Sequence, residues 1–456
     1  RNMQNITLHP HAVGKENTAL GYYALRKNTT GCQNVAIGKQ ALVNNLTGKS
    51  NVAIGRDAMT NAVSANQNVA IGPGSLYNNT GGSNNVAVGT GTLAYNTTGV
   101  KNVVIGVDTM RCNTVGTHNI AIGEQALYCN TTAGYNIGIG ADSLYRNTTG
   151  QYNVGVGYQT LKANTTGNCN VAVGYQTLNN NTTGNCNVAV GYQSLKYNVT
   201  GGQNVALGSC ALFANVSATD NVAIGNQALK SLTGQHTGSN VAIGACAMQN
   251  AQGQNNTVVG RCAMPNATSS YNVVMGRQAL AASGSVGSSN VALGFQSLCK
   301  NTAQQNTAVG TYSGFNNTSG EILAIGYSAL CSNTVGTRNT SIGRFAMKCN
   351  TTGNDNTAVG HFSLFNNTTG IDNTAIGMCS LYNNTTGLSN TALGKCALTT
   401  NTSGKCNTAI GYATLNANTI GACNVSIGAA SLISNTTGSF NNALGFHTLN
   451  NNTTGE

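Results

Sequence analysis

A short block of apolar and small residues recurs along the whole chain and ends each time in glycine. At residues 34–38 the block reads Asn-Val-Ala-Ile-Gly, and its glycine lies 17 residues from the next such glycine on either side. Twenty-six of these anchor glycines run from Gly21 to Gly445, and their spacing departs from 17 only between residues 226 and 326. A sustained period of this length predicts stacked repeats rather than separate globular domains.

The alternation inside each block predicts a short β-strand. Side chains of a strand point alternately to its two faces, so we expect Val35 and Ile37 on the core face and Ala36 on the other. A second strand is expected after the anchor glycine, ending in a Leu or Met such as Leu42, and only Gly314 breaks that column. An Asn-Thr-Thr-Gly turn then closes the coil.

One such coil cannot bury a core alone, but stacked coils can, with parallel strands about 4.8 Å apart. The predicted fold class is therefore all-β, a parallel β-solenoid of about 26 coils. Residues 1–456 are expected to form a single rod, roughly 120 Å long at that spacing. Residues 226–326 are an irregular segment within it.

An Asn precedes the strand at every anchor except one, where Ile322 replaces it. An inward Asn repeated once per coil can donate its amide to the side-chain carbonyl of the Asn one coil away. This column predicts a structural ladder, and contact with glycans or ice is the less favoured interpretation. The ladder includes Asn34, Asn51, Asn68, Asn102, Asn170, Asn187 and Asn373.

The middle strand residue is Ala, Gly or Ser at 23 of the 26 anchors, with Val104, Val258 and Val274 as exceptions. If this column points outward, it makes a flat face of small residues that another copy of the sheet can approach closely. A tight interior corner explains the same column equally well.

Fifteen cysteines are spread along the chain, and ten of them share a column on adjacent coils. Stacking would place the Cα atoms of each pair about 4.8 Å apart, inside the disulfide window of about 4.4–6.8 Å. Disulfides are therefore predicted, which indicates an oxidising, extracytoplasmic compartment. Buried thiols in a reducing cell are the alternative. The pairs are Cys112 with Cys129, Cys169 with Cys186, Cys246 with Cys262, Cys379 with Cys396, and Cys406 with Cys423.

Charged residues make up only 7% of the chain, and the net charge is +11. The positive balance favours polyanion binding, but the 21 Lys and Arg show no basic-aromatic stripe, so nucleic-acid binding is not expected. Asp57, Asp108 and Asp142 share a column without occupying adjacent coils, so no catalytic cluster is expected.

His9 and His11 could bind a metal, but two His in a terminal segment are more often incidental, and no cofactor is predicted. No apolar run is long enough to span a membrane.

The blocks Asn-Val-Ala-Ile-Gly, Asn-Ile-Ala-Ile-Gly and Asn-Thr-Ala-Ile-Gly, each followed by a small residue and Leu, resemble a known repeat. They are similar to the head repeats of YadA-like trimeric autotransporter adhesins and to related tail-fibre-like proteins with NTAIG repeats. The resemblance covers practically the whole chain, although its coils are longer and rich in Cys. It implies a left-handed parallel β-roll, a parallel homotrimer and an extracellular adhesive or spacer fibre on a cell or virion surface.

The turn that follows the Leu column carries many Asn-x-Ser/Thr sequons, which predict a glycosylated and soluble outer edge. Alternatively, the Thr of each sequon hydrogen-bonds the turn backbone. The candidate acceptors are Asn28, Asn96, Asn130, Asn147, Asn164, Asn181, Asn215, Asn350 and Asn452.

Two further columns bear on ligands. Tyr158, Tyr175 and Tyr192 could form an aromatic strip for sugars, although stacked Tyr on a solvent-facing sheet is more often structural. Ice binding would need a flat array of regular Thr. A stack of Thr does occur, but its place in the strand predicts that it faces inward. The stack comprises Thr340, Thr357, Thr374, Thr391 and Thr408.

The sequence thus favours a non-enzymatic extracellular fibre, a structural shaft or filament with an attachment role. A polysaccharide-active β-solenoid enzyme and an ice-binding protein are the alternatives. The expected partners are other copies of the chain, in a homotrimer or a head-to-tail filament, and cell-surface glycans or polyanions. Head-to-tail stacking is suggested by the last turn, which lacks only about two residues to meet the register of Arg1; a segment of a longer array is the other interpretation.

Overall fold

The computed structural model describes residues 14–233, 238–266, 268–282, 284 and 286–455. The boundary between two compact units falls in the gap at residues 234–237. Unit 1 precedes this gap in the chain, and unit 2 follows it. Within the described residues, each unit contains thirteen β-strands of three residues. No described residue is helical, and accordingly none belongs to a helix that could cross a bilayer.

The strands of unit 1 are β1 Thr18–Leu20, β2 Val35–Ile37, β3 Val52–Ile54, β4 Val69–Ile71, β5 Val86–Val88, β6 Val103–Ile105, β7 Ile120–Ile122, β8 Ile137–Ile139, β9 Val154–Val156, β10 Val171–Val173, β11 Val188–Val190, β12 Val205–Leu207 and β13 Val222–Ile224. Those of unit 2 are β14 Val241–Ile243, β15 Thr257–Val259, β16 Val273–Met275, β17 Val291–Leu293, β18 Thr307–Val309, β19 Leu323–Ile325, β20 Thr340–Ile342, β21 Thr357–Val359, β22 Thr374–Ile376, β23 Thr391–Leu393, β24 Thr408–Ile410, β25 Val425–Ile427 and β26 Asn442–Leu444.

Within each unit, successive strands pair in parallel and in register, which confirms the predicted β-solenoid. In β10 and β11, Val171 pairs with Val188 and Val173 with Val190. Register also survives the irregular segment, because β14 and β15 pair residue for residue although their coil is one residue short. Changes in coil length are therefore absorbed in the turns and not in the strands.

Each coil has one strand, because the predicted second strand is a succession of tight turns in every described coil. In the coil after Gly38, Gln40 has a φ of 60° and Leu42 a φ of 50°, both in the left-handed region. That region costs a residue with a side chain about 1–2 kcal/mol. The cost is offset by hydrogen bonds to both neighbouring coils: the N–H of Gln40 donates to the Tyr22 carbonyl at 2.8 Å and that of Leu42 to the Ala58 carbonyl at 3.0 Å.

The anchor glycine permits the close approach of successive coils. Gly38 has a φ of 128°, and a Cβ added there would lie 2.7 Å from the carbonyl carbon of Gly55 in the next coil. Only glycine satisfies both the conformation and the spacing, which explains the invariance of this column within the chain.

The interior of each coil is filled from two columns. Leu42 and its equivalents as far as Leu432 are fully buried, so the prediction that the Leu column forms the core is confirmed. The orientation predicted for the strand is wrong, because Ala36 is fully buried while Val35 and Ile37 are half-exposed. The tight interior corner is therefore the right interpretation of the small column. The Leu column leaves room there for little more than a methyl group.

The two exceptions in the sequence columns compensate each other in space. Gly314 stands where other coils have Leu or Met, and Ile322 stands where they have the ladder Asn. A Cβ at Gly314 would lie 3.3 Å from the Cδ1 atom of Ile322, whose side chain is only 3% exposed. The Ile322 side chain thus occupies interior space that the missing Leu would otherwise fill.

Candidate functional site

The first and third residues of each strand point away from the interior and form two parallel columns, which we call the apolar face. In unit 1 both columns consist of Val, Ile or Leu in every strand, apart from Thr18. Side chains in the middle of this face remain accessible: Val103, Ile105 and Val190 are 37%, 39% and 39% exposed. Contiguous exposed apolar surface of this extent is uncommon on soluble monomers and is typical of an interaction site.

In unit 2 the third strand residue remains apolar, but the first is often Thr. Thr340, Thr357, Thr374, Thr391 and Thr408 lie in five successive strands and face outward. The prediction that this Thr stack faces inward is therefore wrong. It followed from the same reversed assignment of strand faces, since an outward Thr alternates with an inward Ala or Ser.

The Asn that precedes each strand is buried and donates to its neighbour. Asn51 donates both its backbone N–H and its Nδ2 to the Oδ1 atom of Asn34, at 3.0 and 3.1 Å, and a further Nδ2 hydrogen to the Ala65 carbonyl at 2.8 Å. The same pattern recurs at Asn68, Asn102, Asn170, Asn187 and Asn373. These side chains are inside the coil and are not available to an external ligand.

The Asn of the sequons forms a second internal ladder. Asn164 donates to the Oδ1 atom of Asn147 at 2.8 Å and to the Gly167 carbonyl at 3.0 Å, and both Asn side chains are fully buried. The neighbouring Thr165 hydroxyl donates to the Thr182 carbonyl at 3.1 Å.

This ladder argues against glycosylation, because a glycan on Nδ2 would remove a donor and would have no space inside the coil. The correction applies to Asn96, Asn130, Asn147, Asn164, Asn181, Asn215 and Asn350, all of which are buried. Asn28 and Asn452, in the first and last described coils, are half-buried members of the same column.

All fifteen cysteines lie in the described part of the chain, and no disulfide joins any two of them. The predicted disulfides are thus absent from Cys112 and Cys129, Cys169 and Cys186, Cys246 and Cys262, Cys379 and Cys396, and Cys406 and Cys423. The stacked geometry gives the reason. In-register side chains point the same way, so their Cβ atoms keep about the 4.8 Å separation of the coils. A disulfide needs about 3.5–4.5 Å.

Several of these thiols are partly buried and protonated. Burial raises the pKa of the Cys112, Cys129 and Cys379 thiols above the ordinary value. Cys169, Cys186, Cys406 and Cys423 are exposed.

Four of the acidic residues form surface ion pairs, among them two that share the column of Asp57. Asp108 accepts from Arg111 at 3.0 Å, and Asp142 from Lys162 at 2.9 Å. Across the described ranges, no group of three or more His, Cys, Asp and Glu is placed to hold a metal ion. His9 and His11 lie outside the described residues.

The Tyr column of unit 1 is a stack of rings. Tyr158, Tyr175 and Tyr192 are stacked at 5.3 and 5.4 Å between ring centroids. Such stacking covers ring faces, which a sugar would need to contact, so this column is interpreted as a structural ladder.

A cluster in unit 2 escaped the sequence analysis. Eight aromatic rings between Phe295 and Tyr382 contact one another across successive coils, and four basic side chains lie against them. The residues that meet across coils are 15 to 20 positions apart in the sequence, so a linear search for a basic-aromatic stripe does not detect them. Aligning the chain by its anchor glycines would have shown them, because all follow an anchor by one to six residues.

No protein-family model matches this chain, and no curated protein matches it significantly.

Proposed function

We propose that this protein is a non-enzymatic fibre component that assembles with other copies of itself through the apolar face. The observation that carries the proposal is the pair of outward Val, Ile and Leu columns, uninterrupted from β2 to β13 of unit 1. The resemblance to adhesin head repeats and tail-fibre-like proteins supports an extracellular location and a trimeric arrangement. A filament of stacked copies is the other arrangement that fits a self-associating solenoid.

The size of the face is sufficient for a stable interface. A fully exposed Val or Ile side chain presents about 100 Å² of apolar surface, and the most exposed members of the face in β2–β13 expose 37–39% of theirs. Two side chains from each of the twelve strands β2–β13, at about a third of that area each, then give at most about 800 Å² in unit 1. This equals the area that each partner typically buries in a stable complex, about 800 Å².

The test uses light scattering of the purified full chain and of two matched variants. Val156→Glu with Val190→Glu places two carboxylates on the apolar face, two coils apart. Thr149→Glu with Thr183→Glu places two carboxylates on the exposed turn of the same coils. We expect the wild type and the turn variant to be oligomeric and the face variant to be monomeric, because burying an unpaired carboxylate costs several kcal/mol. A monomeric wild type, or a face variant that stays assembled, would refute the proposal.

A second candidate function is supported by the outward Thr stack of unit 2. Its hydroxyl and methyl groups repeat at the coil spacing on a sheet face, as ice binding would require. Thermal hysteresis of the wild type, abolished by Thr374→Leu with Thr391→Leu, would support this function. Absence of hysteresis in the wild type would remove it.

A further inference from the structure

Six of the eight Lys and Arg of unit 2 lie in the segment that follows the anchor glycine, apart from its acidic residues. Within the described part of unit 2, the acidic residues are Glu321, Asp355 and Asp372. Each of the three comes directly before the position of the ladder Asn. Asp355 forms an ion pair there with Arg338, in which Nε lies 2.6 Å from Oδ1. The guanidinium of Arg338 lowers the pKa of the Asp355 carboxyl. The segment after the anchor glycine carries only basic charge.

Four basic side chains in that segment contact aromatic rings instead of carboxylates. The guanidinium carbon of Arg344 lies 4.8 Å from the ring centroid of Phe345, and the ammonium of Lys348 lies 5.1 Å from the same ring. Lys300 lies 5.5 Å from Phe315. None of these cations has an ion pair in the described residues.

The fourth cation, Arg277, lies 5.9 Å from the ring of Phe295. Contacts of this kind attract the cation to the ring and restrict its side chain. The rings are held by one another, as in the stacked pair Phe345 and Phe362 at 5.3 Å. The cationic side chains are therefore held in place before any ligand binds, and Arg277, Lys300 and Arg344 remain exposed to solvent.

The spacing of these cations indicates an extended ligand. Arg277 and Arg344 belong to coils four steps apart, which corresponds to about 19 Å along unit 2. A single phosphate or sulfate cannot contact both. A linear polyanion can, and it gains affinity by contacting several cations at once.

We infer that this cationic aromatic surface binds a linear acidic polysaccharide through its sulfate or carboxylate groups. The choice of a polysaccharide rests on the proposed extracellular fibre function, and charge complementarity selects its acidic class. A single-stranded nucleic acid is disfavoured, because base stacking needs a free ring face. Here the faces of Phe345 are occupied by Arg344, Lys348 and the Phe362 ring.

The test measures binding of the purified full chain to immobilised heparin, with alginate, dextran and single-stranded DNA as competitors. Arg344→Gln with Lys348→Gln is expected to weaken heparin binding about tenfold. The control variant is Lys39→Gln with Lys49→Gln, which replaces two exposed lysines of unit 1 and makes the same change in net charge. These lysines have no cation–π contact within the described residues, and the control is expected to change heparin affinity less than about twofold. Heparin and alginate should compete, and dextran should not.

A second variant, Arg277→Gln with Lys300→Gln, must show the same loss of heparin affinity. The outcome then does not depend on whether one particular variant folds. Equal losses in the unit 1 control would show that binding follows net charge and would overturn the inference. So would absence of heparin binding, or competition by single-stranded DNA as strong as that by heparin. Light scattering of Arg344→Gln with Lys348→Gln should show wild-type assembly, which separates failure of this surface from failure of the fibre proposal.

Discussion

Replacing Ala62 by Asn should stabilise unit 1. The internal turn ladder has an Asn in the coils before and after this position, at Asn45 and Asn79, but Ala62 interrupts it. The Oδ1 atom of Asn45 is consequently buried without a hydrogen-bond partner. The backbone is already suitable, because the Ala62 N–H donates to the Met59 carbonyl at 3.2 Å, as that of Asn45 donates to the Leu42 carbonyl at 3.1 Å.

The magnitude follows from the bonds that the new side chain completes. The introduced amide would donate to the Oδ1 atom of Asn45 and accept from Nδ2 of Asn79, with a distance near the 2.8 Å of the Asn45–Asn28 bond. Each such bond contributes about 1 kcal/mol net, and satisfying a buried carbonyl recovers about 1–3 kcal/mol. Ordering the introduced side chain costs about 1 kcal/mol. The expected net gain is about 1–2 kcal/mol.

Amide hydrogen exchange is the suitable assay, because long repeat arrays do not unfold in a two-state manner. The backbone amides of Asn45, Asn79 and the substituted position should exchange about 5–30 times more slowly in the Ala62→Asn variant. Ala62→Leu is the matched control, since Leu232 occupies the equivalent place after Asn215, whose Oδ1 is also unpaired. Unchanged or faster exchange in Ala62→Asn, or equal slowing in Ala62→Leu, would refute the reasoning.

Three further substitution and labelling experiments test the interior. Leu178→Asp should destabilise its unit by several kcal/mol, since it buries an unpaired charge, and wild-type melting would show that the Leu column is not core. Ile322→Asn should be destabilising alone and much less so with Gly314→Leu; additive effects in a double-mutant cycle would contradict their compensation. Iodoacetamide should alkylate every thiol of the unreduced protein, with exposed Cys169 faster than Cys331, whose pKa is raised by burial. A cystine found by mass mapping would contradict the stacked-thiol geometry.

The coil length, the anchor glycine and the Leu core followed from the sequence, because each depends on a column that repeats at one spacing. Gly38 and Leu42 have a single structural explanation, a close backbone approach and a buried side chain. The interruption of the Leu column at Gly314 could also be recognised in the sequence, because the ladder Asn is replaced in the same coil, by Ile322.

The strand orientation did not follow from the sequence, because alternation alone does not say which face is inward. Val35 and Ile37 are larger and more apolar than Ala36, so transfer free energy favours the wrong assignment. The narrow interior decides the matter, since the inward Leu42 already fills the coil and leaves room for the Ala36 methyl group.

The cationic aromatic surface was missed for a related reason. Arg344 and Phe345 are adjacent in sequence, but Phe362 and Lys300 join them only through stacking of the coils. The turn sequons predicted external glycosylation sites that the structure places inside the coil. Asn164 matches an acceptor motif, but its side-chain amide donates two hydrogen bonds within the solenoid.

Cryo-electron microscopy of the purified full chain tests the proposed assembly most directly. We expect particles that contain several copies, with the outward columns of Val156, Val173 and Val190 buried where two copies meet. Particles of a single copy, or copies in contact through the Thr-rich turns with these columns open to solvent, would contradict it.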